Sequence, residues 1–259
     1  MVLTAPEAHR AAAHEWHGVL DALAGLDPHD AAGGWATPTR CAGWTLLDLA
    51  RHAVWGTSME ADALRRARTG TSGTAQGTEL DADAAASDVL SALRTSVDAL
   101  VDELAGAAAL AADCVLEIPF GTVPLGFGLD VFTMEAGIHA DDVADALGHS
   151  AALSDEVVTA TAAVLAPVLP ALAALAGDAV HRPREGSAVA VSGPTVALAF
   201  AVRDGAWVPG RVEDPGAARV RADDDSTALR FVLGRLDAAD PRLTVTGGAE
   251  AFKTWFPGP

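Results

Sequence analysis

"FTMEAGIHADDVADALG", Phe132 to Gly148, is the stretch whose reading decides the fold. It is strongly apolar and helix-prone, yet it carries Glu135 and His139 four residues apart, followed at once by Asp141 and Asp142. On a helix, residues at i and i+4 stand on one face, about 6 Å apart along the axis. That spacing suits two ligands of one metal ion, although the same pair also occurs on solvated helix faces. A third ligand must come from another helix, since sites inside helical bundles are assembled that way. His52 is the candidate. It lies within the apolar stripe of an earlier helix, beside Ala53 and Val54, where an unpartnered imidazole is costly. A core histidine bonded to a carbonyl is the competing reading.

Outward from this stretch, the first 176 residues read as helices. Thr4 with Glu7 forms a capping box before a helix that runs to about Ala24. A long connection rich in Gly, Pro and Asp follows, "GLDPHDAAGGWATPTRCAGW". A second box, Thr45 with Asp48, opens a helix with Leu46, Leu49, Ala50, Ala53 and Val54 at helical spacing. It ends near Arg68, before the flexible "TGTSGTAQGT". A third helix is predicted from about Asp81 to Leu104, and "CVLEIPFGTVPLGFG" is a connection leading into the helix of Glu135 and His139. A fifth helix contains Pro167 and Pro170. From residue 177 the pattern changes to short alternating strands, "SAVAVSG" and "TVALAFAVRDGAWVPGRV", with Asp204-Gly205 where a two-residue hairpin turn belongs. "ARVRADD" and "RLTVTG" read as further strands, "STALRFVLGRL" and "GAEAFKTWF" as helices. The predicted fold is α plus α+β: a helical bundle over residues 1–176 and a small α+β unit over 177–259.

Composition narrows the function. Half of the 259 residues are hydrophobic, as in a globular chain. The net charge of −18 argues against a nucleic-acid partner, because nothing here neutralises a row of phosphates. The N-terminus lacks the basic start and apolar run of a signal peptide. The apolar segment from Val157 to Ala176 approaches spanning length but opens with Asp155 and Glu156 and is broken by two prolines. It reads as a buried amphipathic helix and not as a membrane span. Two cysteines, Cys41 and Cys114, are too few for a disulfide framework. A cytoplasmic protein, monomeric or homodimeric, is expected.

"CAGWTLLDLARH", Cys41 to His52, resembles the N-terminal motif of the mycothiol-dependent maleylpyruvate isomerase family, a family of DinB-like metal-binding four-helix bundles. Cys41, Gly43, Trp44, Thr45, Leu46, Asp48, Leu49 and His52 match its pattern, and Glu135, His139, Asp142, Ala146 and Gly148 match its second motif. "PFGTVPL" looks like the family's glycine-bearing loop, and the C-terminal unit, with "FVLGR" at Phe231 to Arg235, looks like its sterol-carrier-like domain. Carried over, the family's zinc triad falls on His52, Glu135 and His139, the same trio that spacing proposes. Such a set of two nitrogens and one oxygen leaves a coordination position open, the mark of a catalytic metal. Zn²⁺ leads, although Ni²⁺, Fe²⁺ or Mn²⁺ would also suit these ligands.

The resemblance implies an enzyme that activates mycothiol for attack on a small electrophile. It would act either as a cis–trans isomerase of maleylpyruvate or as a mycothiol S-transferase. Two other readings stay open: a small-molecule carrier with a structural or vestigial metal site, and a thiol-independent biosynthetic enzyme on the same fold. Asp142, one turn after His139, either accepts a proton from its imidazole or is a solvated carboxylate. Arg235 matches a family arginine suited to an anionic substrate, with Arg230 and Arg221 as rivals. Trp44 reads as packing at a helix entry, and Cys41 as packing ahead of it. "HEWH", His14 to His17, is one residue short of a zincin motif and reads as a polar face; His149 reads as a surface or capping residue.

Overall fold

The computed structural model describes residues 2–27, 29, 33–149, 151–176, 184–214 and 216–256. It divides into two units, Met1–Ala160 and Thr161–Pro259. The division falls inside the fifth helix, whereas the sequence reading placed it after residue 176.

Four helices build the first unit: α1 (Ala5–Ala24), α2 (Leu46–Thr69), α3 (Ala86–Gly106) and α4 (Leu125–Ala146). Both capping boxes form. Glu7 Oε2 accepts from Thr4 N and Oγ1 at 2.9 and 2.6 Å, and Asp48 Oδ2 accepts from Thr45 N and Oγ1 at 3.0 and 2.7 Å. Each box satisfies amide hydrogens that a helix start leaves without intrahelical partners. α4 stops at Gly148, whose φ of 78° lies in the left-handed region, and the amide of His149 returns to the Ala144 carbonyl at 2.8 Å. α1 packs against α4 and α3, and α2 against α3 and α4. Trp16, Leu23, Leu46, Leu49, Leu93, Val97 and Phe132 are among the side chains buried between them. Each such side chain contributes about 1.5–3 kcal/mol by leaving water.

Two local readings need correction. The third helix starts at Ala86 and not near Asp81, because Ala84 N donates to Asp81 O in a turn and Arg51 Nη2 draws the Ala84 carbonyl aside at 2.9 Å. The stretch read as a connection contains an antiparallel hairpin, β1 (Val115–Ile118) and β2 (Gly121–Pro124), closed by a turn at Pro119-Phe120. Leu116 and Ile118 point inward and Val115 and Glu117 outward. The hairpin sits tightly on α4: a Cβ on Gly128 would meet Leu116 Cδ1 at 2.5 Å.

α5 (Asp155–Ala176) carries both prolines within the helix. It is long and apolar enough to cross a membrane by length and composition, and a third of that stretch is buried. The buried part is the early one, with Val157, Val158, Ala160, Val164, Leu165 and Leu169, while Leu172 and Leu175 are exposed.

The second unit holds β3 (Ala188–Ser192), β4 (Ala197–Arg203), β5 (Ala206–Pro209), β6 (Ala218–Ala222), α6 (Asp225–Val232), β7 (Leu243–Thr246) and the short α7 (Phe252–Trp255). The sheet order is β5-β4-β3-β6-β7, with β3 and β6 parallel and the other neighbours antiparallel. Asp204 and Gly205 turn β4 into β5 with φ of 54° and 74°, as a two-residue hairpin demands. Phe200, Phe231, Phe252 and Phe256 form an aromatic core, with ring centroids 4.9–5.4 Å apart in the contacting pairs. The architecture is α plus α+β, as the sequence predicts.

Candidate metal centre

The alternation of α2 and α4 places three polar side chains into the bundle. Leu49, Ala50, Ala53 and Val54 turn inward on α2 and leave His52 half-buried at the edge of their stripe. On α4, Phe132, Ala136 and His139 are buried, with Glu135 half-buried beside them. One donor atom each from His52, Glu135 and His139 lies within 4.8 Å of the other two. The His52 and His139 rings meet edge to face, with centroids 5.1 Å apart and an interplanar angle of 75°.

His139 stands between two carboxylates. Nε2 is 3.2 Å from Glu135 Oε2, and Nδ1 is 3.7 Å from Asp142 Oδ2. Both ring nitrogens are buried, and neither contact has hydrogen-bond geometry. Buried polar atoms are nearly always hydrogen-bonded, so two orphaned nitrogens on one imidazole are the observation that fits a metal. The donor set agrees with it: two imidazoles and a carboxylate leave a tetrahedral ion one open position.

The electrostatics differ for the two histidines. Burial pulls His52 below its ordinary pKa, and the neighbouring His139 lowers it further against the pull of Glu135. Burial also acts downward on His139, but Asp142 and Glu135 on either side outweigh it and hold the ring at about 9. His52 therefore offers a neutral lone pair at pH 7, whereas His139 carries a proton that it gives up on binding a metal.

The surroundings contain contacts that sequence reasoning missed. The Cys41 thiol donates to Asp142 Oδ2 at 3.3 Å, so its role exceeds packing. Arg40 Nη1 bonds Asp141 Oδ2 at 2.8 Å, and its Nη2 bonds Asp145. Residues 40 and 41, just before α2, thus engage three acids of α4, Asp141, Asp142 and Asp145, and tie the start of α2 to α4. The acids at 141, 142 and 145 on an apolar helix were the available signal, since each needs a partner. Glu60, two turns beyond His52, is buried with Oε2 unpartnered, and burial together with the charge of Glu135 raises its pKa well above the usual carboxylate range. Trp44 lies against the His52 ring at 4.9 Å, Trp55 at 6.2 Å, and Trp16 is 6.3 Å from the His139 ring.

The remaining candidates are not part of either donor grouping among the described residues. Arg235 follows α6 in the second unit, half-buried, and its Nη1 donates to the Leu233 carbonyl at 2.8 Å. Arg230 is buried in α6, and Arg221 is exposed on β6. His14 and His17 are exposed on α1, His149 is exposed just past α4, and none joins a grouping of metal-type donors among the described residues.

A helical bundle that gathers two histidines and a glutamate from two helices, joined to an α+β unit, defines the class. The family model described as "Mycothiol maleylpyruvate isomerase N-terminal domain" matches residues 12–144, half of the chain and all three clustered residues. The chain belongs to this family. Among solved structures, the crystal structure of the mycothiol-dependent maleylpyruvate isomerase is similar with a TM-score of 0.66 and 16% identity, covering 95% of this chain and 94% of that one. A histidine-to-alanine mutant of that isomerase gives the same values. At that identity the likeness establishes the fold. No curated protein sequence matches the chain.

Proposed function

We propose that this protein is a cytoplasmic, metal-dependent enzyme that activates mycothiol for attack on a small electrophile. His52, Glu135 and His139 would hold the metal. The observation that carries this reading is the buried Nε2 of His139, which has no hydrogen-bond partner and faces Glu135, with a donor atom of His52 close by. A divalent ion held by these residues, Zn²⁺ by its ligand preference, would supply the Lewis acidity that lowers the pKa of a thiol toward neutral pH.

The chain's own residues set the conditions. His52 is neutral by burial and so presents its lone pair without losing a proton. Glu135 contributes the negative charge that partly offsets the ion. Asp142 stands at Nδ1 of His139 and fixes the orientation of that ring, as carboxylates behind metal-bound histidines do. Trp44 and Trp55 flank His52. The thiolate would add to a polarised double bond, as in isomerisation of maleylpyruvate, or displace a leaving group, as in an S-transferase. Arg235, from the second unit, is the proposed partner for an anionic group of substrate or cosubstrate.

Metal analysis of the purified protein beside His52→Ala and Glu135→Ala tests the triad. One metal per chain in the parent and a loss in both variants is expected; stoichiometric metal surviving both substitutions would overturn it. Turnover of candidate electrophiles with and without mycothiol tests the thiol. Unchanged turnover in its absence would assign the fold to thiol-free chemistry.

A further inference from the structure

Behind His139 lies a second set of donors. Cys41, His139 and Asp142 are all buried, and one donor atom from each again lies within 4.8 Å of the other two. Cys41 Sγ is 3.3 Å from Asp142 Oδ2, and that oxygen is 3.7 Å from His139 Nδ1. With metal–sulfur bonds of about 2.3 Å and metal–nitrogen or metal–oxygen bonds of about 2.0–2.1 Å, a tetrahedral ion holds neighbouring donors roughly 3.3–3.5 Å apart. The two separations from Asp142 Oδ2, 3.3 and 3.7 Å, are close to that arrangement before any ion enters. His139 Nδ1 supplies the independent sign of a ligand: it is buried and makes no hydrogen bond, although it points at this set.

We infer that Cys41, His139 Nδ1 and Asp142 form a second cation site, suited to a thiophilic divalent ion and occupied only in exchange for the first. The thiolate selects for softness, since sulfur ligands favour soft ions whereas carboxylate and imidazole suit harder ones. Exclusivity follows from the shared ring. The first set uses Nε2, on the Glu135 side, and the second uses Nδ1, on the Asp142 side. A neutral imidazole has one lone pair and one N–H, so His139 serves one ion at a time. On binding, the Cys41 hydrogen leaves as a proton, and thiolate and carboxylate balance the two charges of the ion. A thiophilic cation would thereby withdraw His139 from the set that includes His52. The inference does not require the first site to be catalytic.

Cd²⁺ titration of the metal-stripped full-length protein tests it, read by thiolate-to-metal charge-transfer absorption in a Cys114→Ser background. The band is expected to saturate at one Cd²⁺ per chain, to persist in His52→Ala, and to vanish in Cys41→Ser. Cys41→Ser should still bind one Co²⁺ through the first set, seen in its visible bands, which also reports that this variant folds. Asp142→Asn should shift half-saturation by about tenfold or more. Adding Cd²⁺ to the Co²⁺-loaded parent should bleach the Co²⁺ bands in proportion. Absence of the band in His52→Ala, or its survival in Cys41→Ser, would overturn the assignment, as would two ions bound at once. A metal content indifferent to His52→Ala, with the Cd²⁺ band intact, would sink the functional reading and leave this site standing.

Discussion

At the scale of single residues, two of the carboxyls buried in the bundle have settings that differ sharply. Asp142 is wholly buried but engaged, accepting from the Cys41 thiol and facing His139. Replacing it by Asn keeps the shape and removes the charge behind the imidazole. Metal affinity in Asp142→Asn should fall about 10–100-fold, measured by competition with a chelating dye, with helical content by circular dichroism unchanged. Glu60 is equally buried and has an oxygen with no partner. Its raised pKa means that the folded state keeps a proton that the unfolded chain releases above about 4.5. The contribution of this group to stability is therefore complete below 4.5 and is lost as the pH climbs toward the folded value. Glu60→Leu should stabilise the bundle at pH 7 by about 1–3 kcal/mol, the penalty of an unsatisfied buried group, and should flatten the decline of stability as the pH rises above about 4.5. Denaturation midpoints across that range would check both, and a destabilised, pH-indifferent variant would count against the reading. The pairing of Glu135 and His139 was legible in the sequence because an i, i+4 spacing follows from helix geometry, and the structure brings a donor atom of His52 near both. The contacts of Cys41 and Arg40 were not legible, because they meet α4 across 101 to 105 residues of chain, where no periodicity carries information.

At the scale of elements, α4 is pinned from both sides. Glu135 and His139 occupy one face, and Gly137, between them in sequence, turns away toward α5. A Cβ on Gly137 would lie 2.3 and 2.4 Å from the two methyl carbons of Val157. Gly137→Ala adds about 1 kcal/mol of helix propensity, yet the overlap should outweigh that gain and destabilise the unit by about 1–3 kcal/mol net. Urea unfolding would show it, and Val157→Ala in the same chain should restore much of the loss. The four bundle helices were readable because capping residues and apolar stripes agree. The hairpin β1–β2 was harder to read, since its four-residue strands lie either side of Pro119 and offer one short alternation. The start of α3 was misplaced because the competing partner of the Ala84 carbonyl is a side chain from α2.

For the whole molecule, two units with separate cores should respond differently to metal. An ion bound only by the folded bundle stabilises it by RT ln(1 + [L]/Kd), about 2.7 kcal/mol at a hundredfold excess over Kd. Chelation is expected to lower the unfolding temperature of the transition that reports α1 to α4 while leaving the transition of the β3–β7 sheet in place, as hydrogen exchange resolved along the chain would reveal. A chelator without effect on either would argue against a resident ion. The fold class was visible in the change from helical periodicity to short alternating strands after residue 176. α5 is one continuous apolar helix whose first turns pack with the bundle through Val157, and the division into units falls within it.

The tryptophans around the candidate ligands have a practical side. The chain has six tryptophans and no tyrosine, so its ultraviolet emission comes from indoles alone, and three of the six, Trp16, Trp44 and Trp55, stand 4.9–6.3 Å from the two imidazoles. Exchanging the proton of His139 for an ion changes the charge facing those rings. The protein thus carries a built-in optical probe: its intrinsic fluorescence should change in intensity as metal binds, with no label attached, and Trp44→Phe should remove much of the response.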